Sequence, residues 1–409
     1  MSPRPTVIPE DALSPVDIYK SGRLAASMWR LGDTVMFGYR DDYVAAAEQP
    51  IAFTLPLSHQ PVDTDRMRIP AFFAGLLPEG ESRRRDLQRA FHLAEDDELG
   101  LLSLIGADTV GDVQVVPAGD PPPDDAAPQA LMWDSVSLRE MWNDLSGAGL
   151  RSALPGVQPK MSAQSRSLHG GAAGAVILKF PIESWRGVLT NERFFMVHAA
   201  DVGLQAPAVA IVTDREGQQA LEVVRFDRAL RERRLMRYAQ EDASQVLGLR
   251  PGQKYDPDGR TVVGALASRC ASPKMAARDL FHQLVYSYVI GNNDVHAKNL
   301  SIRRDPKSSL WMVTPVYDVL HTWPYEGDHR FYPAVREDGP HEAVTLKHWL
   351  QFASDVGLPE RAARRTIARV LDGVPGLLSA THGTIDLSPN RMPDLERVLQ
   401  RRVRDLQGG

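Results

Sequence analysis

Residues 291–299 read Gly-Asn-Asn-Asp-Val-His-Ala-Lys-Asn and follow an apolar stretch, 280–290, whose composition predicts a buried helix. Within this loop Asp294 and Asn299 are five positions apart, which is the D-x-x-x-x-N spacing of a protein-kinase catalytic loop. Asp294 can accept the proton of an incoming hydroxyl, and Asn299 can bind Mg²⁺. The spacing therefore predicts a phosphoryl-transfer site, although an aspartate by itself is more often a turn or helix-capping residue.

A second acidic residue follows the loop where a kinase has its other metal ligand. Strands predicted at 301–302 and 311–315 form a short hairpin that leads to Tyr317 and Asp318. Mg²⁺ prefers oxygen ligands, so Asp318 and Asn299 are the expected pair of metal-binding side chains. Asp318 alone is also typical of a turn. Its combination with the catalytic-loop spacing favours the metal site.

Two charged residues upstream fit the same chemistry. Lys179 lies near the end of the apolar strand 175–180, a position from which a small-lobe lysine reaches the phosphates of ATP. Glu192, at the start of a helix predicted at about 191–202, can orient that lysine. The alternatives are that Lys179 is a solvated strand end and that Glu192 only stabilises the positive end of its helix.

The turn-rich segment 154–174 offers a candidate cradle for phosphate. Its start, 154–160, reads Leu-Pro-Gly-Val-Gln-Pro-Lys, which is neither a G-x-G-x-x-G loop nor a Walker A motif. The backbone amides of such a turn can nonetheless bind phosphate oxygens.

The overall composition is that of an ordinary globular protein. The 409 residues are 43% hydrophobic and 24% charged, and the net charge of -5 gives no signature of a nucleic-acid binder. Cys270 is the one cysteine in the sequence, which excludes an intramolecular disulfide and fits a reducing compartment. The N-terminus lacks an apolar signal-peptide core, and no run of about 18 apolar residues occurs. We therefore expect a cytoplasmic protein with no membrane association.

A Pro- and Asp-rich stretch divides the chain. We predict an N-terminal, mainly β subdomain at 1–117, a linker at 118–130, a small kinase lobe with the phosphate loop at 131–224, and a large helical lobe with the catalytic loop at 225–409. The small lobe is predicted to begin with a helix at 135–147. The fold class expected from this layout is α+β, a two-lobed protein-kinase-like fold.

Two basic segments remain outside this scheme. The stretch 228–237 carries five arginines, and it is interpreted as a solvated hairpin, with nucleic-acid or tRNA contact as the alternative. The C-terminal helix predicted at 398–406, with Arg401, Arg402 and Arg404, is interpreted as an exposed amphipathic end.

Taken in order, these motifs resemble the HipA family of serine/threonine kinases, which are toxins of bacterial toxin–antitoxin modules. The resemblance covers nearly the whole chain. The matching stretches are 72–80, 104–108, 111–114, 156–160, 177–181, 191–192, 225–228, 241–242 with Gln245, Leu247 and Gly248, 290–299 and 315–319. Of these, the last two are the most specific.

The resemblance implies ATP and Mg²⁺ as cofactors and a role for each site residue. Asp294 would be the catalytic aspartate, Asn299 and Asp318 the Mg²⁺ ligands, and Lys179 the phosphate contact. The other residues implied to contact ATP form three groups. The phosphate loop would be Gly156, Val157, Gln158 and Lys160, and the hinge against adenine would be Val224, Arg225 and Phe226. The remaining lining of the nucleotide site would be His296, Lys298 and Tyr317.

The resemblance also implies partners. Family members phosphorylate aminoacyl-tRNA synthetases, notably glutamyl-tRNA synthetase, and so stop translation. They are neutralised by a HipB-like helix-turn-helix antitoxin, with which they co-repress their operon. Contact with DNA would then be indirect, through the antitoxin complex.

The sequence departs from the family pattern at two places. The phosphate loop usually begins Ser-x-x-Gly with an autophosphorylated, inactivating serine, whereas Ala153 stands at that position and Ser152 one residue earlier. The autoinhibitory switch is therefore lost or altered, or moved to Ser152. The hinge usually carries Glu where this chain has Val224, with Glu222 two residues back. The adenine contact would then rest on backbone groups.

Three functions fit these observations. The first is an active kinase toxin, because the minimal catalytic residues are all present. The second is a kinase-fold binding module that holds an antitoxin on DNA with weak or no catalysis, which the two departures favour. The third is a small-molecule or lipid kinase, since the same loop spacing serves those substrates.

Overall fold

The computed structural model describes residues 12–64, 68–123, 132–143, 154, 158–165, 174–232, 234–305, 307–325, 330–336, 338–388 and 390–408. The strands in these residues are β1 Leu13–Lys20, β2 Arg23–Leu31, β3 Thr34–Tyr39, β4 Val62–Thr64, β5 Val113–Pro117, β6 Lys160–Ser165, β7 Gly174–Lys179, β8 Val209–Thr213, β9 Gln219–Val224, β10 Arg228–Arg231, β11 Arg234–Arg237, β12 Gln240–Asp242, β13 Ser301–Arg304, β14 Trp311–Val313, β15 Phe331–Arg336 and β16 Gly339–His341.

The α-helices in the same residues are α1 Asp41–Ala45, α2 Ala71–Ala74, α3 Glu81–Ala90, α4 Glu98–Ile105, α5 Leu138–Asn143, α6 Val188–His198, α7 Ala243–Leu247, α8 Gly259–Arg269, α9 Pro273–Val289, α10 Leu346–Asp355, α11 Glu360–Thr381 and α12 Met392–Gln407. None of them is long and apolar enough to cross a membrane.

The chain divides into two compact units that are each assembled from separate stretches of sequence. The first comprises Met1–Val176, Asp214–Glu216 and Asp227–Pro251, and the second comprises Ile177–Thr213, Gly217–Phe226 and Gly252–Gly409. The predicted four-part division runs along the chain in continuous segments, and it stays a prediction.

The first unit is built on an antiparallel sheet in the order β4-β3-β2-β1-β5. Apolar side chains on its strands, such as Ile18 and Phe37, pack with apolar side chains of the short helices, such as Phe73 on α2. All three residues are almost fully buried. At the end of β1, Lys20 Nζ lies 2.7 Å from Asp112 Oδ1, and both side chains are buried. The predicted mainly β character of this region is therefore observed.

The basic hairpin β10–β11 is present, but its ends are not solvated as predicted. Arg228 pairs in register with Arg237, and each guanidinium donates to Asp108 Oδ1 at 3.1 Å. Their side chains are only 1% and 7% exposed, because the acidic group compensates their charge inside the unit. Arg231 and Arg234, which lie at the tip of the hairpin, are exposed.

The second unit contains the neighbouring strands β7, β9 and β8, the helix α6 and the long helices α8 to α12. The apolar stretch predicted to be a buried helix is the C-terminal part of α9, and its residues from Leu280 to Val289 are all buried. Aromatic rings from α9 and α10 pack edge to face: Phe281 and Trp349 have ring centroids 5.6 Å apart. This packing fixes α9, whose C-terminal end leads directly into the predicted catalytic loop.

Several predicted elements differ in extent from the observed ones. The helix predicted at 135–147 is observed as α5 at 138–143, and residues 144–147 lie outside the described part. The turn-rich segment 154–174 contains strand β6, which was missed because Met161 is its one large apolar residue. The helix predicted at 191–202 begins at Val188 and continues after His198 as a 3₁₀ turn, Ala199–Val202.

A buried histidine on α9 should make the protein sensitive to acid. Burial lowers the pKa of His282 from 6.5 to about 4, and the charge of Arg369 acts in the same direction. Because the folded pKa is depressed, this stabilising contribution is complete above pH 6.5 and is lost as the pH falls through 4. We expect His282→Leu to reduce the shift in urea midpoint between about pH 7.5 and about pH 4.5. An unchanged shift would show that His282 does not titrate in this way.

Candidate active site

The predicted catalytic loop begins at a backbone turn that requires glycine. Gly291 follows α9 with φ +74°, and a Cβ there would lie 2.7 Å from His321 Nδ1 and 2.9 Å from Val398 Cγ1. The loop is then held by Thr322, whose backbone amide donates to Gly291 O at 3.2 Å and whose hydroxyl accepts from the Asn293 amide at 2.9 Å. The loop backbone is thus fixed by residues that follow Asp318 in the sequence.

The downstream part of the loop closes on itself. The backbone amide of His296 donates to Asn299 Oδ1 at 3.0 Å, and Ala297–Asn299 form a 3₁₀ turn. Asn299 Nδ2 in turn lies 3.2 Å from Asp318 Oδ2. The two residues predicted to share a metal ion are therefore neighbours in the folded second unit.

Lys179 lies between two carboxylates. Its Nζ is 2.5 Å from Glu192 Oε1 and also forms an ion pair with Asp318. Burial acts to lower the pKa of the Lys179 ammonium, but the charges of Asp318 and Glu192 outweigh that effect and raise the pKa overall. Lys179 is therefore a permanent cation at the end of β7, and it is not the solvated strand end of the alternative interpretation.

Asp318 has a backbone conformation that is uncommon for a residue with a side chain. Its φ of +59° lies in the left-handed region, which aspartate tolerates better than most residues. Such conformations persist where the surroundings hold them, and they are frequent at functional sites. Here the strained turn directs one carboxylate toward Lys179 and Asn299 at once.

The donor set fits a magnesium ion. The oxygens of Asp318 and Asn299 are hard ligands, and Lys179, Glu192 and Asp318 together leave a net negative charge. No group of three or more His, Cys, Asp or Glu side chains in the described ranges is placed to hold a metal ion. A two-residue site suits Mg²⁺ in nucleotide enzymes, where phosphates and water complete the coordination.

Asp294, the predicted base, is half-buried and accepts a hydrogen bond from the Tyr255 hydroxyl. The segment that carries Tyr255 is tied to the loop, because the Ala297 amide donates to Lys254 O at 3.0 Å. The ring of Tyr255 also packs edge to face on His296, with centroids 5.1 Å apart. Tyr255 was not predicted from the sequence, because it lies 39 residues before Asp294 in a stretch without recognisable spacing.

The predicted hinge lies beside the loop. Val224 ends β9, Arg225 is buried, and the Phe226 ring lies 5.6 Å from the Tyr317 ring. The Tyr317 hydroxyl donates to Lys298 O at 2.7 Å. The second unit therefore brings Phe226, Tyr317 and Lys298 together, as expected for the lining of one site.

Only part of the predicted phosphate loop lies in the described residues. Gln158 and Lys160 are half-buried in the first unit, where Lys160 begins β6. Gly156 and Val157, as well as Ser152 and Ala153, lie outside the described residues. Their roles stay predictions.

The C-terminal helix is not the exposed end that was predicted. Arg402 on α12 is fully buried, its Nη2 donates to Asn293 Oδ1 at 3.2 Å, and its guanidinium lies 4.0 Å from the centroid of the Tyr288 ring. Tyr288 donates to Asp405 on the same helix at 2.8 Å. Only Arg404 is as exposed as expected. The burial of Arg402 was not predicted because arginine is normally counted as polar surface.

Comparison with known proteins places the chain in a family. Residues 152–377 match the model of the HipA-like C-terminal domain, and residues 16–116 match that of the HipA N-terminal domain. Y4mE of Sinorhizobium fredii is 30% identical over 87% of this chain and 89% of its own length. The serine/threonine-protein kinase toxin HipA of Shewanella oneidensis is 26% identical over 84% of this chain and 83% of its own.

The fold is shared with a solved structure. Shewanella oneidensis HipA, in a complex with HipB and operator DNA, matches with a TM-score of 0.72 and 21% identity over 95% of this chain and 97% of that one. This similarity confirms the predicted α+β, HipA-type fold. Since the C-terminal domain model alone spans more than half of the 409 residues, the chain belongs to the HipA family, as its motifs predicted.

Proposed function

We propose that this protein is an ATP-dependent serine/threonine protein kinase that acts as the toxin of a toxin–antitoxin module. The observation that carries the proposal is the buried contact of Lys179 with both Glu192 and Asp318, with Asn299 beside Asp318. A lysine paired to a helix glutamate, next to a metal-binding aspartate, is the arrangement that positions ATP for phosphoryl transfer in kinases.

Each residue has a distinct part in the proposed reaction. Lys179 donates hydrogen bonds to the phosphates of ATP, and Glu192 holds the ammonium in place. Asn299 and Asp318 would hold Mg²⁺, which when bound neutralises charge on the phosphates. Asp294 accepts the proton of the substrate hydroxyl as its oxygen bonds to the γ-phosphorus and ADP leaves.

The proposed substrate is an aminoacyl-tRNA synthetase of the glutamyl type, and the proposed partner is a HipB-like antitoxin. The Shewanella relative is named as a kinase toxin, and its solved structure holds HipB and operator DNA. Contact of this chain with DNA would be through the antitoxin.

The proposal is tested by incubating the purified protein with γ-labelled ATP, Mg²⁺ and a panel of purified aminoacyl-tRNA synthetases. We expect label on a serine or threonine of the glutamyl enzyme, and none with Asp294→Asn. Label on small molecules or lipids, with none on any synthetase, would favour the small-molecule or lipid kinase instead.

A second candidate is a binding module with little catalysis. Val224 gives the hinge no carboxylate, and Glu222, the nearest acidic residue in the strand, is fully buried. If the chain acts in this way, it holds the antitoxin on the operator without turning over ATP. The two functions differ in whether Mg²⁺–ATP binds, which calorimetric titration of the full-length protein measures.

Arg402 should affect the reaction rate through the catalytic loop. Because it holds Asn293 next to Asp294, we expect Arg402→Met to lower kcat on the order of tenfold to a hundredfold with little change in KM for ATP. Arg404→Met, on the exposed side of the same helix, is the matched control and should leave kcat unchanged. Equal values for the two variants would mean that α12 does not position the loop.

A further inference from the structure

Tyr255 lies where a phosphate-accepting hydroxyl would have to bind. Its hydroxyl donates to Oδ1 of Asp294, which is the hydrogen bond that a substrate serine or threonine makes to a kinase aspartate before transfer.

Tyr255 combines an anchored backbone with a partly exposed side chain. The preceding residue, Lys254, accepts a hydrogen bond from the Ala297 amide, which anchors this segment to the catalytic loop. Tyr255 is 38% exposed. It lies between the 3₁₀ turn Pro251–Gln253 and α8, outside both elements. A rotation about its own side-chain bonds would therefore release Asp294 without moving the loop.

From this geometry we infer that Tyr255 is an internal cap on the catalytic aspartate: its hydroxyl occupies the acceptor-hydroxyl site, and an incoming serine or threonine hydroxyl, or water, displaces it. The cap selects for acceptors that bind well enough to compete, and it suppresses transfer of the γ-phosphoryl group to water. This inference rests on the proposed kinase function, since it concerns the same site.

The test uses the full-length protein with Mg²⁺–ATP and no protein acceptor, so that water is the acceptor and ADP is the product measured. We expect Tyr255→Phe to release ADP about fivefold faster than the unchanged chain, the effect of one net hydrogen bond. Tyr19→Phe, a half-exposed tyrosine of β1 in the first unit, is the matched control and should have no effect. The double variant Tyr255→Phe/Asp294→Asn should fall to the background of Asp294→Asn.

The outcomes separate this inference from the proposed function. If the unchanged chain releases ADP above the Asp294→Asn background and Tyr255→Phe is no faster, the cap is refuted while the kinase function stands. A slower Tyr255→Phe would assign the tyrosine to orienting the aspartate, and phosphate on Tyr255 by mass spectrometry would make it an acceptor; either result overturns the cap. If neither protein exceeds the Asp294→Asn background, the cap is refuted, and the proposed function is decided separately by the labelling of the synthetase panel.

Discussion

Asp294→Asn is expected to lower the rate of phosphoryl transfer by about 10²- to 10⁴-fold, the usual contribution of a positioned general base. The amide has nearly the same shape as the carboxylate but cannot accept the proton of the substrate hydroxyl. Asp294 accepts a hydrogen bond from Tyr255, whereas Lys179 pairs with Glu192 and Asp318, so Mg²⁺–ATP affinity should change little. The rate is measured as label transferred to the glutamyl-tRNA synthetase, and the affinity by calorimetry.

A matched substitution shows whether the loss is specific. Asp372, an exposed residue of α11, carries the same charge, and Asp372→Asn should retain the full rate. If Asp294→Asn retains more than about a tenth of the rate, Asp294 is not the base, because a general base contributes more than that.

Lys179→Met is expected to abolish activity and to destabilise the protein by about 3–5 kcal/mol, which is the usual cost of breaking a buried ion pair by removing one partner. Glu192 is 1% exposed, so without the ammonium its charge has no solvent to stabilise it. The change in the free energy of unfolding is measured by urea denaturation, and ATP binding by calorimetry.

A double variant separates the effect of Lys179 on stability from its effect on activity. Lys179→Met/Glu192→Leu replaces the buried pair with apolar side chains, which is often neutral or stabilising relative to the ion pair. We therefore expect stability near that of the unchanged chain, together with activity as low as in Lys179→Met. A double variant as unstable as Lys179→Met would mean that Glu192 is not the source of the cost, and recovered activity would remove Lys179 from the site.

The sequence predicted those parts of the site that depend on local spacing. Asp294 and Asn299 lie in one short loop, and their separation alone indicates a base and a metal ligand. Lys179 and Asp318 are 139 residues apart, so their contact depends on how β7 and the turn at Asp318 are placed in the fold. Their roles were proposed from residue type and family pattern, whereas the ion pair itself could be seen only in the structure.

Residues that act through long-range contacts were not predicted. Arg402 is 109 residues from Asn293 and was assigned to an exposed helix face, because periodicity shows which face is apolar but not that an arginine is buried in it. Asn191 and His321 are similar: the Asn191 amide both accepts from the His321 backbone amide at 3.0 Å and donates to its carbonyl at 2.9 Å, across 130 residues. No local pattern encodes such pairs.

Titration of Mg²⁺–ATP into the full-length protein by calorimetry, with Asp318→Ala as the comparison, tests the central claim most directly. The claim is that Lys179, Asn299 and Asp318 form a nucleotide–metal site. It predicts saturable binding of one nucleotide per chain that requires Mg²⁺ and is strongly weakened in Asp318→Ala. Absence of binding to the unchanged chain, or equal affinity without Mg²⁺ and in Asp318→Ala, would contradict it.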